Sequence, residues 1–160
     1  MPQSKNFSVQ YTEYESIDFL SEEIKKLMLA AVEARKKAYA PYSKFQVGAA
    51  VLLANGEIII GSNQENAAYP SGLCAERVAI YQASALYPNE IIKAVAVSGS
   101  AEVPTAVPVS PCGACRQSMA EYEIRQQQPV SVYFMGAAGK VVQAHSVKDL
   151  IPFLFDGSLL

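Results

Sequence analysis

Two β-prone runs, residues 45–53 and 57–61, flank Ala54-Asn55-Gly56. Asn-Gly supplies the positive φ angles of a tight turn, so the two runs fold back on each other as a hairpin. Helical and strand patterns alternate around that hairpin. Ser21 caps a helix running to about residue 38, with Ile24, Leu27, Met28, Ala31 and Val32 on one face, and Ala40-Pro41 ends it. A loop closing in Pro70-Ser71-Gly72 leads to a second helix, residues 74–86, which Pro88-Asn89 breaks. Residues 91–98 read as a buried strand, 103–111 as a proline-bearing loop, 112–126 as a helix and 130–135 as a strand. Residues 140–144 make a fifth strand after Gly139, and residues 146–155 a closing helix with Ser146 and Asp149 as its capping pair. The expected class is α/β, a mixed five-stranded sheet covered by helices on both faces. Residues 1–20 stand apart as an N-terminal arm, in which Phe7, Val9 and Tyr11 alternate with polar residues, as in a short strand lying on the body or on a neighbour. Residues 21–160 form one domain.

A chain of 160 residues that is 51% hydrophobic can bury one substantial core. Its charged fraction, 18%, falls below the usual quarter, which points to apolar surface covered by other copies of the chain. The net charge is −2, and the basic cluster Lys25, Lys26, Arg35, Lys36 and Lys37 is interleaved with Glu22, Glu23 and Glu33. No basic track for nucleic acid exists there. The longest apolar stretches, residues 49–54 and 58–60, are far short of the roughly 20 that a membrane span needs. With no charged-then-apolar leader at the N-terminus, the expected compartment is the cytoplasm. Three cysteines cannot pair completely, and a reducing compartment makes them ligands, nucleophiles or core fillers.

Both cysteine clusters open helices. The first helical turn carries unpaired N–H groups and a partial positive charge, which favour thiolate over thiol. Cys112-Gly113-Ala114-Cys115 has the C-x-x-C spacing by which two sulfurs from one turn grip one ion, and Cys74 would supply a third. Three ligands leave a fourth tetrahedral position for water. Taken alone, C-x-x-C is shared with redox motifs and closed structural zinc sites, Cys74 fits a small core residue, and Glu76 suits any first helical turn. The only histidine, His145, lies in a polar stretch and reads as solvated.

The combination is more specific. Cys74-Ala75-Glu76-Arg77 followed by Pro111-Cys112-Gly113-Ala114-Cys115-Arg116-Gln117 closely resembles the small, three-cysteine cytidine deaminases. Residues 40–50, beginning Ala40-Pro41-Tyr42-Ser43, and residues 63–69, from Asn63 to Tyr69, carry the same likeness, which runs from about residue 21 to 155. The resemblance implies the three-layer fold of that family and hydrolysis of cytidine and deoxycytidine to the uracil nucleosides plus ammonia, in pyrimidine salvage. It implies one zinc ion per subunit on Cys74, Cys112 and Cys115, a zinc-bound hydroxide as nucleophile, and Glu76 as the proton shuttle.

The family pattern also implies nucleoside contacts. The Ala75–Glu76 backbone would hydrogen-bond the pyrimidine, Phe45 and Phe155 would flank it, and Asn63 and Glu65 would hold the ribose 3′-hydroxyl. Such a site disfavours nucleic acid, whose 3′-phosphodiester would collide with groups built for a hydroxyl. Tyr69 and Phe155 would come from neighbouring subunits of a homotetramer. Three thiolates leave Zn²⁺ with a net charge of −1, which weakens it as a Lewis acid, and Arg77 would offset this by hydrogen-bonding the sulfurs. The rivals are a structural zinc module, which has no need of Glu76, Asn63 or Glu65; a deaminase for another aminopyrimidine; and a thiol oxidoreductase, which leaves Cys74 idle.

Overall fold

A computed structural model describes the backbone of residues 1–160 and every side chain except that of Leu159. In chain order the main elements are β1 (Tyr11–Tyr14), α1 (Glu22–Arg35), β2 (Gln46–Leu53), β3 (Ile58–Ser62), α2 (Ala75–Leu86), β4 (Ile92–Ser100), α3 (Gly113–Gln126), β5 (Ser131–Met135) and β6 (Val141–Ala144). The strands form one sheet in the order β1-β6-β5-β4-β2-β3. Only β4 and β5 are parallel, with α3 as the crossover between them; every other pairing is antiparallel. The sheet therefore has six strands rather than the expected five. The sixth is β1, from the N-terminal arm, which pairs along β6 from Tyr11 opposite Ala144 to Tyr14 opposite Val141. Without it the β6 edge would present unpaired backbone groups, and the Tyr14 hydroxyl fastens the pairing by donating to Gln143 Oε1 at 2.8 Å.

Alternation along the strands divides the core into two layers. Ala49, Val51 and Leu53 of β2, Val95 and Val97 of β4, and Val132 and Phe134 of β5 pack against α2 and α3. The intervening Ala50, Leu52, Ala94, Ala96, Tyr133 and Met135 pack against α1 through Leu27, Met28 and Ala31. Helices thus cover both faces. Two glycines set how closely they lie. A Cβ on Gly48 would stand 2.1 Å from the Ala31 carbonyl oxygen in α1, and one on Gly61 would stand 2.5 Å from the Ala79 amide nitrogen in α2. Only residues without a side chain permit those approaches, and the second seats the opening of α2 directly on β3.

The closing helix expected over residues 146–155 is not formed. A 3-10 turn covers Val147–Leu150 and stops, because Pro152 has no N–H to donate and Phe153 adopts a left-handed φ of 56°. The Ser146–Asp149 capping pair is absent as well. The Ser146 hydroxyl accepts from Lys148 N at 3.1 Å, and the acidic partner comes from α3 instead: Glu123. Its buried carboxylate accepts from Val130 N and Val147 N, each at 2.8 Å, and from the Ser146 hydroxyl at 2.6 Å. One side chain thus ties α3 to the start of β5 and to the turn after β6.

Replacing Glu123 by Ala strands two buried amides, and each unsatisfied group costs about 1–3 kcal/mol. The expected loss is about 3 kcal/mol or more in urea unfolding of the metal-loaded protein. A loss below about 1 kcal/mol would show that the tie is dispensable.

Candidate active site

Cys74 is the N-cap residue of α2, Cys112 is the N-cap residue of α3, and Cys115 lies in the first turn of α3. Neither N-cap side chain caps a backbone amide of its own helix, so the sulfurs are left for another partner. The Cys74 and Cys112 sulfurs are 3.8 Å apart, the Cys112 and Cys115 sulfurs 3.5 Å, and all three lie within 4.8 Å of one another. Tetrahedral zinc with Zn–S bonds of about 2.3 Å requires sulfurs about 3.8 Å apart, so the cluster has the spacing of a zinc-thiolate site. None of the three is in a disulfide.

The electrostatics suit a cation. Hydrogen bonding from the Cys115 thiol, with further help from Arg77 and Cys112, draws the Cys74 thiol down to about 5 against the opposing effect of burial. The same bond, with burial behind it, pushes the Cys115 thiol up. Arg77 Nη2 donates to Cys74 Sγ at 3.8 Å. Its Nε–H is buried without an acceptor among the described residues. His145 is exposed and meets Thr12 Oγ1 at 3.0 Å, away from the sulfurs.

Glu76 follows Cys74 by two residues and is only 4% exposed. Burial pushes its carboxyl above the usual carboxylate range, and the negative charge of Cys74 adds to that. Its own backbone amide and the Cys115 thiol pull the other way. A carboxyl held in this manner keeps a proton closer to neutral pH than a solvated glutamate does.

The loop after β3 is pinned on both sides. Glu65 N donates to Tyr39 O at 2.9 Å, while Gln64 and Leu73 exchange backbone bonds of 2.9 and 3.0 Å. Leu73 precedes Cys74, so this bridge carries Asn63 and Glu65 to the edge of the cysteine cluster. A cleft of about 520 Å³ results, its walls including Asn63, Glu65, Tyr69, Cys74 and Arg77. Phe45, Ala75, Glu76, Cys112, Cys115 and Phe155 are not part of those walls. Ala75 is fully buried, as Glu76 nearly is, and Phe45 packs beside Gly99. Tyr69 and Phe155 are 77% and 59% exposed, Tyr69 meeting Tyr42 edge-on with centroids 6.0 Å apart.

Asn63 and Glu65 already serve their own chain. Asn63 Oδ1 accepts from Val47 N at 2.8 Å and its Nδ2 donates to Phe45 O at 2.9 Å. Glu65 Oε2 accepts from Tyr42 N at 2.9 Å and Ser43 N at 3.2 Å, and Oε1 accepts from the Ser43 hydroxyl. Sequence reading missed this use of the 41–44 turn. The left-handed φ of 57° at Lys44 shows how tight that turn is, and Pro41 was its available signal.

The model of the cytidine and deoxycytidylate deaminase zinc-binding region matches residues 21–130. The chain belongs to the cytidine deaminase family. The cytidine deaminase of Halalkalibacterium halodurans is 42% identical over 129 residues, spanning 81% of this chain and 91% of that protein. That of Sporosarcina psychrophila is 41% identical over 133 residues, spanning 83% and 91%. The crystal structure of cytidine deaminase from Burkholderia pseudomallei superimposes with a TM-score of 0.73 at 40% identity, covering 85% of this chain and 100% of that one. The family is one of hydrolytic deaminases, and the chain is an enzyme of that class with a three-cysteine site fitted to zinc.

With zinc bound, Cys74 and Cys112 should be shielded from a chromogenic disulfide reagent, and after chelation both should titrate, while Cys115 is buried in either case. Arg77→Ala speeds zinc loss to a chelator about tenfold, the lower end of the effect of removing a ligand's hydrogen-bond partner. Cys74 and Cys112 both reactive in the zinc-loaded protein would contradict the ligand assignment.

Proposed function

We propose that this chain catalyses zinc-dependent hydrolytic deamination of cytidine and deoxycytidine, giving uridine or deoxyuridine and ammonia, in cytoplasmic pyrimidine salvage. The observation that carries the proposal is the burial of Glu76 beside three sulfurs at zinc spacing. When bound to the cysteines, zinc supplies a water molecule of lowered pKa at neutral pH. Glu76 serves as the proton carrier: its carboxylate accepts one proton from the attacking water and returns it to ring N3, then accepts the proton of the new hydroxyl at C4 and delivers it to the departing amine as the C–N bond breaks. One carboxylate suffices because it lies two residues from a ligand and on the same helical turn. Its raised pKa lets it hold the proton between transfers.

Around that centre, the backbone at Ala75 and Glu76 orients the pyrimidine, with Phe45 against the ring. Asn63 and Glu65, at the cleft beside Cys74, recognise the ribose 3′-hydroxyl. A free amide hydrogen on Asn63 and the remaining lone pairs of Glu65 are left for that purpose. The acidic net charge and the absence of a basic track support a free nucleoside rather than nucleic acid. No helix is long and apolar enough to cross a membrane. Three unpaired thiols suit a reducing compartment, which supports the cytoplasmic assignment. Exposure of Tyr69 and Phe155 supports a homotetramer in which these aromatics complete a neighbour's site.

Purified zinc-loaded protein incubated with cytidine is expected to lower the absorbance as uridine forms. Zinc-loaded Glu76→Gln should lose about 10²-fold or more in kcat, the ordinary contribution of a positioned proton carrier. Zinc binding without turnover of either nucleoside would move the substrate to another aminopyrimidine. For the ribose contact, Glu65→Gln should raise KM for cytidine far more than for 3′-deoxycytidine. Equal effects on both substrates would remove Glu65 from sugar recognition. Light scattering is expected to give four chains per particle, and a monomeric particle with full activity would refute the shared site.

A further inference from the structure

Arg116 follows the ligand Cys115 and makes no ion pair among the described residues. Its guanidinium is spent on backbone instead. Nε donates to the Pro111 carbonyl at 2.8 Å, Nη1 to the Leu150 carbonyl at 2.8 Å, and Nη2 reaches Ser110 Oγ at 3.3 Å. Pro111 is the residue immediately before Cys112, so one branch of the fork holds the entrance to the metal-ligand turn. Leu150 ends the 3-10 turn after β6, so the other branch holds the point where the C-terminal segment departs. Gln117, the next residue of α3, donates to the Phe155 carbonyl at 2.9 Å. Beyond Leu150 the segment has little regular structure of its own, and Pro152 and Phe153 project into solvent. Ile151 and Leu154 pack half-buried on the core, and the segment's polar ties are those to α3.

We propose that Arg116 is a positioning residue that couples metal occupancy at Cys112 and Cys115 to the placement of the C-terminal segment carrying Phe155. A rigid planar fork can hold two carbonyls in fixed relation, whereas a lysine ammonium on a flexible stem acts as a point donor. Movement of residues 110–112 when the thiolates release their ion is passed through the guanidinium to Leu150. The coupling is reciprocal through Leu150, so loosening at Leu150 weakens the hold on the ligand turn, whereas loosening farther along, at Phe155, does not reach it. The inference rests on zinc being the resident ion of the proposed function, but not on the identity of the nucleoside.

The test is hydrogen exchange at residues 150–158, read by mass spectrometry against β4 as the internal standard, with zinc release to a chelator measured in parallel. In the wild type, stripping zinc should speed exchange of the segment several-fold while β4 stays protected. Zinc-loaded Arg116→Lys should exchange like the stripped wild type and release zinc about tenfold faster, the lower range for disturbing a ligand's support. Gln117→Ala, which lacks a bond to the ligand turn, should speed exchange near Phe155 and leave zinc release unchanged. The proposal is overturned if the wild-type segment exchanges alike with and without zinc, or if zinc removal exposes β4 equally. It is also overturned if Arg116→Lys matches the wild type in both readouts, or if Gln117→Ala releases zinc as fast as Arg116→Lys. The wild-type comparison decides the matter even where a variant fails to fold. None of these readouts consumes cytidine: a protein that shows the coupling but deaminates another base keeps this inference and loses only the substrate assignment.

Discussion

Thiolates are unstable company for one another, and the site depends on two helix N-termini arriving within reach of one ion. Each end brings unpaired amides and a partial positive charge to a sulfur cluster that would otherwise repel itself. The sheet makes the meeting possible. α2 and α3 lie on the same face and pack on the same core layer, with Cys115 itself among its buried members. Gly61 lets the opening of α2 settle onto β3 with no side chain between them. A small displacement of either helix would separate the sulfurs beyond tetrahedral spacing, so packing density in the layer beneath becomes a condition of metal binding.

α3 has a second duty that follows from its position as the sole crossover between parallel strands. Its first turn holds two cysteines, its middle grips the chain end, and Glu123 binds the start of β5 and the turn after β6. Polar side chains perform all of the last three tasks. Backbone amides and carbonyls outside regular structure need partners when buried, and a helix running alongside can provide them from a single face. The C-terminal segment is therefore held by polar ties from α3 and by Ile151 and Leu154 on the core rather than by a helix of its own.

That division explains what the sequence could disclose. The Asn55-Gly56 turn between two β-prone runs disclosed the hairpin, because the positive φ of 89° at Gly56 is a local requirement that a glycine answers. The thiol spacing disclosed the metal centre for a similar reason: C-x-x-C on one turn is a geometric statement. The closing helix failed because Ser146 and Asp149 offered a local capping pattern, while the carboxylate that satisfies this turn comes from Glu123, 23 residues earlier. Long-range polar partners leave no periodic trace. The alternation of Phe7, Val9 and Tyr11 announced a strand in the arm, but the strand that forms begins only at Tyr11, and its pairing with β6 was not legible, because an arm that joins the sheet looks the same in sequence as one that lies on a neighbour.

The double engagement of Asn63 and Glu65 bears on how the proposed sugar contact would work. A free glutamate entering a complex loses rotamer freedom, which costs roughly 0.5–1.5 kcal/mol per side chain. Glu65 is already fixed by two backbone amides, and Asn63 by the Phe45 carbonyl just before β2 and the Val47 amide within it. Those bonds also draw the Glu65 carboxyl below its usual range, with the Ser43 hydroxyl the largest influence, so the group stays ionised as an acceptor. If Glu65 holds the sugar as proposed, the turn at residues 41–44 would set its position. A substitution there that keeps the fold but removes the Ser43 hydroxyl would free Glu65 to rotate, and the cost would fall on substrate affinity rather than on the chemical step.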